Sequence, residues 1–183
     1  MKQLFFYLLL FATPLLTQCD DDDHAVETLP EATQTGRGIF ACLVDGKPFI
    51  DTSGNPNGIS FNCFYQLVDG EYYFGIGGED DAINNLNSIF IGSQDILLIE
   101  NQTYHLKEWI QGNAYGSGGF SLNVNTIDEW NTDSNNYKGE LKITKFDIQN
   151  QIISGTFWMD LKNPFTDVTI KIREGRFDTR FGL

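Results

Sequence analysis

The sequence predicts an all-β domain, and three observations carry this prediction. Ile occurs 17 times and Ala six times, a ratio that favours strands because β-branched side chains fit a pleated surface. Asn and Gly, which number 15 and 18, cluster between the apolar segments, where turns need them. The apolar segments are short and alternate with polar residues. About ten such strands predict an antiparallel β-sandwich or flattened barrel, with a closed lipocalin-like barrel as the alternative.

Two Asp-Gly pairs predict hairpins in the first half of the domain. Asp45-Gly46 and Asp69-Gly70 each lie between apolar segments, and this dipeptide supplies the positive φ angles of tight hairpin turns. The strands of these hairpins are predicted over residues 38–44 with 47–50 and over 61–68 with 71–76. Further strands are predicted over residues 88–92, 96–99, 104–109 and 120–124.

The C-terminal third predicts a three-stranded antiparallel meander over residues 139–148, 152–161 and 168–181. In its middle strand one face carries Ile153, Gly155, Phe157, Met159 and Leu161, and the other carries Ser154, Thr156, Trp158 and Asp160. In the last strand the alternation breaks between Ile172 and Phe177. Glu174-Gly175 is therefore predicted to form a bulge or a tight turn.

The N-terminus predicts a secretory signal peptide over residues 1–18. After Met1-Lys2, an apolar segment of 13 residues runs from Leu4 to Leu16. As a helix it would rise only about 20 Å, short of the roughly 30 Å hydrocarbon core of a bilayer. That length is typical of a signal peptide rather than of a membrane span.

Cys19 is the predicted lipidation site. The segment Leu16-Thr17-Gln18-Cys19 resembles a bacterial lipobox, which implies that Cys19 is acylated on sulfur, as with palmitate, and becomes the first mature residue. More than one acyl chain makes membrane anchoring stable. The alternative is an ordinary signal peptide followed by an unrelated Cys.

Residues 19–35 predict an acidic flexible tether, and residues 36–183 a single β domain. The block Asp20-Asp21-Asp22-Asp23 resembles the surface-export tethers of Bacteroidota lipoproteins, which implies an outer-membrane protein exposed on the cell surface. A solvated, self-repelling spacer is the compatible alternative.

The formal net charge is −13, from 12 basic and 25 acidic residues. This balance argues against nucleic acid as a partner, because binding to phosphates needs a basic surface. Residues 36–137 carry a net charge of −10 and residues 138–183 a net charge of +2. A cation-dependent site is therefore expected in the acidic part.

Cys42 and Cys63 form an even pair in an oxidising compartment and are a candidate disulfide. Closing their loop would stabilise the fold by about 3 kcal/mol. The alternative is two buried free thiols, which are common in protein cores.

Several blocks of the mature chain resemble an uncharacterised Bacteroidota lipoprotein family. Its members begin Leu-Pro-x-Ala-Thr-Gln-x-Gly, continue with a Cys-containing strand and a Gly-Lys turn, and end with a Gly-Arg-Phe-Asp motif. The matching blocks here are Leu29 to Gly36, Phe40 to Lys47, Ile143 to Asp147, Ile153 to Phe157 and Gly175 to Asp178. The resemblance implies a secreted, lipid-anchored β domain and supplies no activity.

Enzymatic function is not expected. His24 lies in the tether and His105 in a strand, and the sequence has no Gly-x-Ser-x-Gly elbow or Gly-Lys-Thr/Ser loop. No cofactor is expected either. Oxygen-rich segments that could bind Ca²⁺ occur at residues 51–57, at 79–81, and at Asp128-Glu129 with Asp133 and Asn135, all without EF-hand spacing.

The expected function is therefore non-catalytic binding or display, with a glycan or a protein as the partner. Trp158 is the candidate ligand platform, because it shares a strand face with Ser154, Thr156 and Asp160. An aromatic face next to polar groups suits a sugar. Trp109 and Trp130 lie near predicted loops. The alternatives are a glycan- or calcium-assisted binding module, or a carrier of a small apolar ligand inside a barrel.

Overall fold

A computed structural model describes residues 28–52, 59–80, 86–123, 126–133, 135 and 138–182, and within them the fold is all-β. Eleven strands form there: β1 (Ile39–Val44), β2 (Lys47–Ile50), β3 (Ile59–Val68), β4 (Glu71–Glu79), β5 (Ser88–Gln94), β6 (Thr103–Lys107), β7 (Ala114–Asn123), β8 (Thr126–Asn131), β9 (Gly139–Asp147), β10 (Ile152–Lys162) and β11 (Thr169–Gly182). No helix in these ranges has the length and apolar character that crossing a membrane takes.

The strands form one sheet in the order β2-β1-β11-β3-β4-β5-β7-β6-β9-β10-β8. β10 also pairs with β11, and β7 also pairs with β8. The series of pairings thus returns to β11, as in a flattened barrel or a sandwich. The predicted all-β class and the C-terminal meander β9-β10-β11 are confirmed.

The sheet is mixed rather than purely antiparallel, which corrects one detail of the prediction. β3 runs parallel to β11, and β6 runs parallel to β7. β11 has 14 residues, so it pairs with β1 along its middle and with β3 at its end. This insertion of β11 between β1 and β3 also departs from the up-and-down order of a lipocalin-like barrel.

The strand predicted over residues 96–99 does not form. There, tyrosine hydroxyls replace a neighbouring strand as backbone partners. The amide of Leu98 donates to the Tyr65 hydroxyl at 3.3 Å, and the amide of Ile99 donates to the Tyr104 hydroxyl at 2.8 Å. The Tyr104 hydroxyl in turn donates to the carbonyl of Leu97. An apolar segment is thereby held against the core without joining the sheet.

The predicted irregularity at Glu174-Gly175 is a bulge within the continuous strand β11. Glu174 has a φ of 52°, and the register with β10 shifts between Phe157 and Met159. Such a bulge changes which face of the strand the following side chains occupy. Ile172 and Phe177 consequently both point into the core, where each is at most 2% exposed.

The interior is filled by apolar side chains in the described part of the chain. Phe157 lies across Gly175, and Phe177 lies across Gly155 on the paired strand. A Cβ atom on Gly175 would be 2.5 Å from the Phe157 ring, and one on Gly155 would be 2.5 Å from a backbone oxygen. These contacts leave no room for a side chain at either glycine, and they do not favour an apolar ligand in the interior.

Cys42 and Cys63 are free and buried, so the candidate disulfide is not formed. β11 separates their strands, which places the two Cα atoms roughly 10 Å or more apart. A disulfide requires less than about 7 Å. Burial raises the pKa of both thiols, and the carboxylate of Asp80 adds to the effect at Cys42.

Candidate ligand groove at Trp158

Two rows of outward-facing side chains cross the sheet β6-β9-β10-β11. In one row Thr103 pairs with Lys142, Lys142 with Thr156, and Thr156 with Arg176. In the other row His105 pairs with Glu140, and Glu140 pairs with Trp158. The strand register thus places residues from distant parts of the chain side by side.

A groove of about 480 Å³ lies over these rows. Ala32, from the segment that precedes β1, contributes to its wall. The remaining lining residues are Thr103, Glu140, Lys142, Thr156, Phe157, Trp158, Glu174, Gly175 and Arg176. The predicted platform Trp158 therefore lies in a concave site.

The indole of Trp158 is held from two sides. Its Nε1–H donates to Glu140 Oε2 at 3.1 Å. The guanidinium of Arg173 lies over the ring, 5.4 Å from the centroid, and contacts Asp160 Oδ1 at 2.5 Å. Arg173 also donates to the carbonyl oxygens of Met159 and Ile172. The indole is therefore held in one orientation, so the Trp158 side chain has less conformational entropy left to lose if a ligand binds.

Charges of both signs surround the groove. Arg176 donates to the carbonyls of Pro30 and Glu174, and its guanidinium is 3.5 Å from the Glu174 carboxylate. His105 Nδ1 lies 3.8 Å from Glu140 Oε1. Together with the ammonium of Lys142, these groups offer hydrogen-bond donors and acceptors around one aromatic ring. Such a site can orient a polar ligand that has an apolar face.

Asp178 fixes the N-terminal wall of the groove. Its carboxylate is fully buried and accepts hydrogen bonds from five donors: the Thr33 and Ser154 hydroxyls and the amides of Thr35, Gly36 and Arg37. Burial opposes ionisation, but the hydrogen bonds outweigh it and hold the pKa of the Asp178 carboxyl below its ordinary value. We call these contacts the Asp178 latch. Residues 33–35, which the sequence assigned to the flexible tether, are thus bound to the domain.

The other predicted site residues have different environments. Cys19, the signal peptide and the acidic block lie outside the described residues, as do Asp81 and the side chains of Asp128 and Glu129. Trp130 is buried in the core, whereas the side chain of His105 is exposed beside the groove. Within the described part of the chain, no group of three or more His, Cys, Asp and Glu residues could hold a metal ion.

Three acidic residues from the predicted calcium segments have structural contacts. Asp80 Oδ2 accepts the amide of Ile50 at 3.0 Å, and Asp51 Oδ1 accepts the amide of Glu79 at 2.9 Å. Asp133 Oδ1 accepts the amide of Asn135. These carboxylates stabilise the connections between strands.

Sequence reasoning singled out Trp158 as a candidate but did not indicate that Glu140, Lys142 and Arg176 lie beside it. The alternation within β9 indicates which residues face outward. However, neighbours across strands are known only once the register is known. In the comparisons with known proteins, no family model, curated protein or solved structure matches this chain.

Proposed function

We propose that this chain is an outer-membrane lipoprotein, anchored through Cys19 and exposed on the cell surface, whose β domain binds a carbohydrate without catalysis. The observation that carries the binding proposal is the preorganised Trp158 ring inside a groove with polar walls. The lipobox-like segment before Cys19 and the acidic block after it support the anchor and the location.

A sugar fits this groove better than a purely apolar or a purely ionic ligand. A pyranose ring has an apolar C–H face and a polar edge of hydroxyl groups. The face of the Trp158 ring opposite Arg173 would take the C–H face of the sugar, while Thr103, Thr156 and Lys142 offer polar groups for the edge. The charges of opposite sign at Glu174 and Arg176 partly neutralise each other, so no strong preference for an anion follows.

The ionisable groups of the groove support binding rather than chemistry. Glu140 accepts from the Trp158 indole and lies near His105, and Arg176 is held by Pro30 and Glu174. These contacts fix the wall of a binding site. A general acid or base must reach a substrate proton directly, whereas Glu140 and Arg176 are engaged by neighbouring residues.

The test is titration of the purified full chain with a panel of oligosaccharides, in a detergent that has no sugar headgroup. Trp158→Ala should weaken binding roughly tenfold or more, because it removes the stacking surface. Trp158→Phe keeps a smaller ring, so its affinity should lie between those of the unmodified chain and Trp158→Ala. Phe165→Ala removes an aromatic residue that is 89% exposed and lies outside the groove lining, and it serves as the matched control.

Two results would contradict the groove proposal. One is that Trp158→Ala leaves the affinity of every bound panel member unchanged, and the other is that no member of the panel binds the unmodified chain. Thermal unfolding of each variant shows whether a loss of affinity reflects loss of the fold.

A further inference from the structure

A second aromatic surface lies on the outer face of β3, β4, β5 and β7, away from the Trp158 groove. It consists of Phe64, Phe90, Tyr115 and Trp109, and we call it the aromatic strip. Phe64, Phe90 and Tyr115 alternate with buried neighbours on their strands and therefore point outward. Trp109 belongs to the connection between β6 and β7. Its ring stacks on Tyr115, with the two ring centroids 5.6 Å apart and an interplanar angle of 26°.

Glycines beneath the rings allow the aromatic strip to lie close to the sheet. A Cβ atom on Gly75 would be 2.4 Å from the Phe64 ring and 2.8 Å from the Phe90 ring. A Cβ atom on Gly92 would be 2.8 Å from Phe90 and 2.7 Å from the Tyr115 hydroxyl. The rings cover bare backbone, a packing that by itself stabilises glycine-containing strands.

That stabilising role does not account for Trp109. Trp109 is 74% exposed, although its ring stacks on Tyr115. The Phe90 ring continues the same surface, because its centroid is 6.1 Å from that of Tyr115. Two depressions flank the Phe90 ring, with volumes of about 320 Å³ toward Trp109 and about 270 Å³ toward Phe64. Both include Ser88 and Phe90, so they are adjacent along one surface.

The polar groups of these depressions are largely uncharged. The depression next to Trp109 is lined by Ser88, Ser117 and Asn131 in addition to the aromatic residues and glycines, and no charged side chain is among its described lining residues. The other depression includes Glu79. The Trp158 groove, by contrast, has four charged residues in its lining.

We propose that the aromatic strip is a second binding site, which takes an uncharged carbohydrate chain. The exposed Trp109 ring and the half-buried rings beside it provide stacking surfaces, and the two adjacent depressions provide places for successive sugar units. Hydroxyl and amide groups at Ser88, Ser117 and Asn131 match sugar hydroxyls.

Charge selects against other ligands that stack on aromatic rings. Residues 36–137 carry a net charge of −10, which repels nucleic acids and acidic polysaccharides. This site uses different strands and different residues from the groove, so the proposal does not depend on the function proposed above.

The experiment titrates the full chain, in a detergent without sugar headgroups, with four neutral hexasaccharides: maltohexaose, cellohexaose, laminarihexaose and mannohexaose. Hexagalacturonate serves as the acidic counterpart. We expect at least one neutral chain to bind, with an affinity that salt hardly changes. Trp109→Ala should weaken that binding roughly tenfold, because it removes the exposed aromatic anchor, and Trp109→Phe should restore part of it.

Phe165→Ala is the control and should leave this binding unchanged, because Phe165 lies outside the lining of both depressions. The proposal is overturned if none of the four neutral chains binds the unmodified protein, or if hexagalacturonate binds as well as they do. It is also overturned if Trp109→Ala binds normally, or if Trp158→Ala alone abolishes binding, which would assign the ligand to the groove. Dimer formation that depends on Trp109, measured by sedimentation, would overturn it too, because a second copy would then cover the strip.

Discussion

The carboxylate of Asp178 joins three segments that are far apart in the sequence. Thr33, Thr35 and Gly36 come from the Leu-Pro-x-Ala-Thr-Gln-x-Gly block, Ser154 comes from the Ser-Gly-Thr-Phe block, and Asp178 itself ends the Gly-Arg-Phe-Asp block. Three sequence blocks that are far apart along the chain therefore meet at one buried charge. Their shared role in this structure is to hold the segment before β1 against the sheet.

The latch predicts a large effect for a small substitution. Asp178→Asn replaces one acceptor oxygen by a donor and leaves buried amides facing it. The free energy of unfolding should fall by about 2–4 kcal/mol, since hydrogen bonds to a buried charge contribute about 1.5–3 kcal/mol each and partial rearrangement recovers some of the loss. Urea denaturation measures this change. Asp167→Asn, at an exposed ion pair with Lys162, is the control and should cost less than about 0.5 kcal/mol.

The difference in unfolding free energy between the wild type and Asp178→Asn depends on pH in a defined way. Because the pKa of Asp178 is lower in the folded chain than in the unfolded chain, its ionisation stabilises the fold above the unfolded pKa, near 4. This contribution is lost as the pH falls from about 4 through the folded pKa. The stability difference between the wild type and Asp178→Asn should therefore be constant near neutral pH and shrink below about pH 4. A difference that stays constant down to pH 2 would contradict the lowered pKa.

At the level of elements, β11 determines what can meet across the sheet. It pairs with β1, with β10 and, in parallel, with β3. Its position between β1 and β3 separates Cys42 from Cys63, while its bulge at Glu174 forms part of the groove. One long strand thus accounts for the free thiols and for one wall of the Trp158 groove.

The thiols provide a direct test of this topology. The test uses Cys19→Ser protein purified without reductant. While this protein is folded, neither Cys42 nor Cys63 should react with a thiol reagent, because both are buried and their pKa values are raised. After unfolding in denaturant, two thiols per chain should react. Cys63→Ala serves as the control and should show one reactive thiol per chain after unfolding. A requirement for reductant before any labelling would mean that the two residues are bridged.

Local chemistry made much of the fold predictable. The Asp-Gly turns are present as expected, with φ angles of 48° and 83° at Asp45 and Gly46 and of 52° and 90° at Asp69 and Gly70. Alternation in β10 correctly separated the buried Ile153 from outward-facing Trp158. These features depend on residues that are close in sequence, so the sequence pattern records them.

Long-range pairings were not predictable in the same way. Nothing local to β3 indicates that it lies parallel to β11, and nothing near Thr33 indicates a bond to a carboxylate 145 residues away. The segment 96–99 resembles a strand, yet the hydroxyls of Tyr65 and Tyr104 take its backbone amides. The groove and the aromatic strip depend on such cross-strand relations, and so Trp158 could be singled out whereas its neighbours could not.

At the scale of the whole molecule, the proposed anchor and the latch define how the domain is attached to the membrane. Fourteen positions separate Cys19 from Thr33, where the latch begins. A fully extended chain of that length spans at most about 50 Å. The Asp178 latch and the bond from Arg176 to the carbonyl of Pro30 would therefore hold the tether to the domain, and Ala32, in the groove wall, lies between these contacts.

The anchor itself leads to the last prediction. Cys19→Ser removes the sulfur that would carry an acyl chain, and each methylene buried in the bilayer contributes about 0.8 kcal/mol to anchoring. The substituted chain should therefore move from the membrane fraction to the soluble fraction, with the same thermal unfolding temperature as the detergent-extracted wild type. Fractionation followed by immunoblotting measures the shift.

The control is Thr17→Ser, a change two residues earlier that keeps the sulfur and should leave the protein in the membrane fraction. If the Cys19→Ser chain stayed with the membrane after a high-salt wash, attachment would not be through lipid. Protease added to intact cells then tests the orientation: a surface-exposed domain is degraded, and a domain that survives until the cells are lysed faces the periplasm.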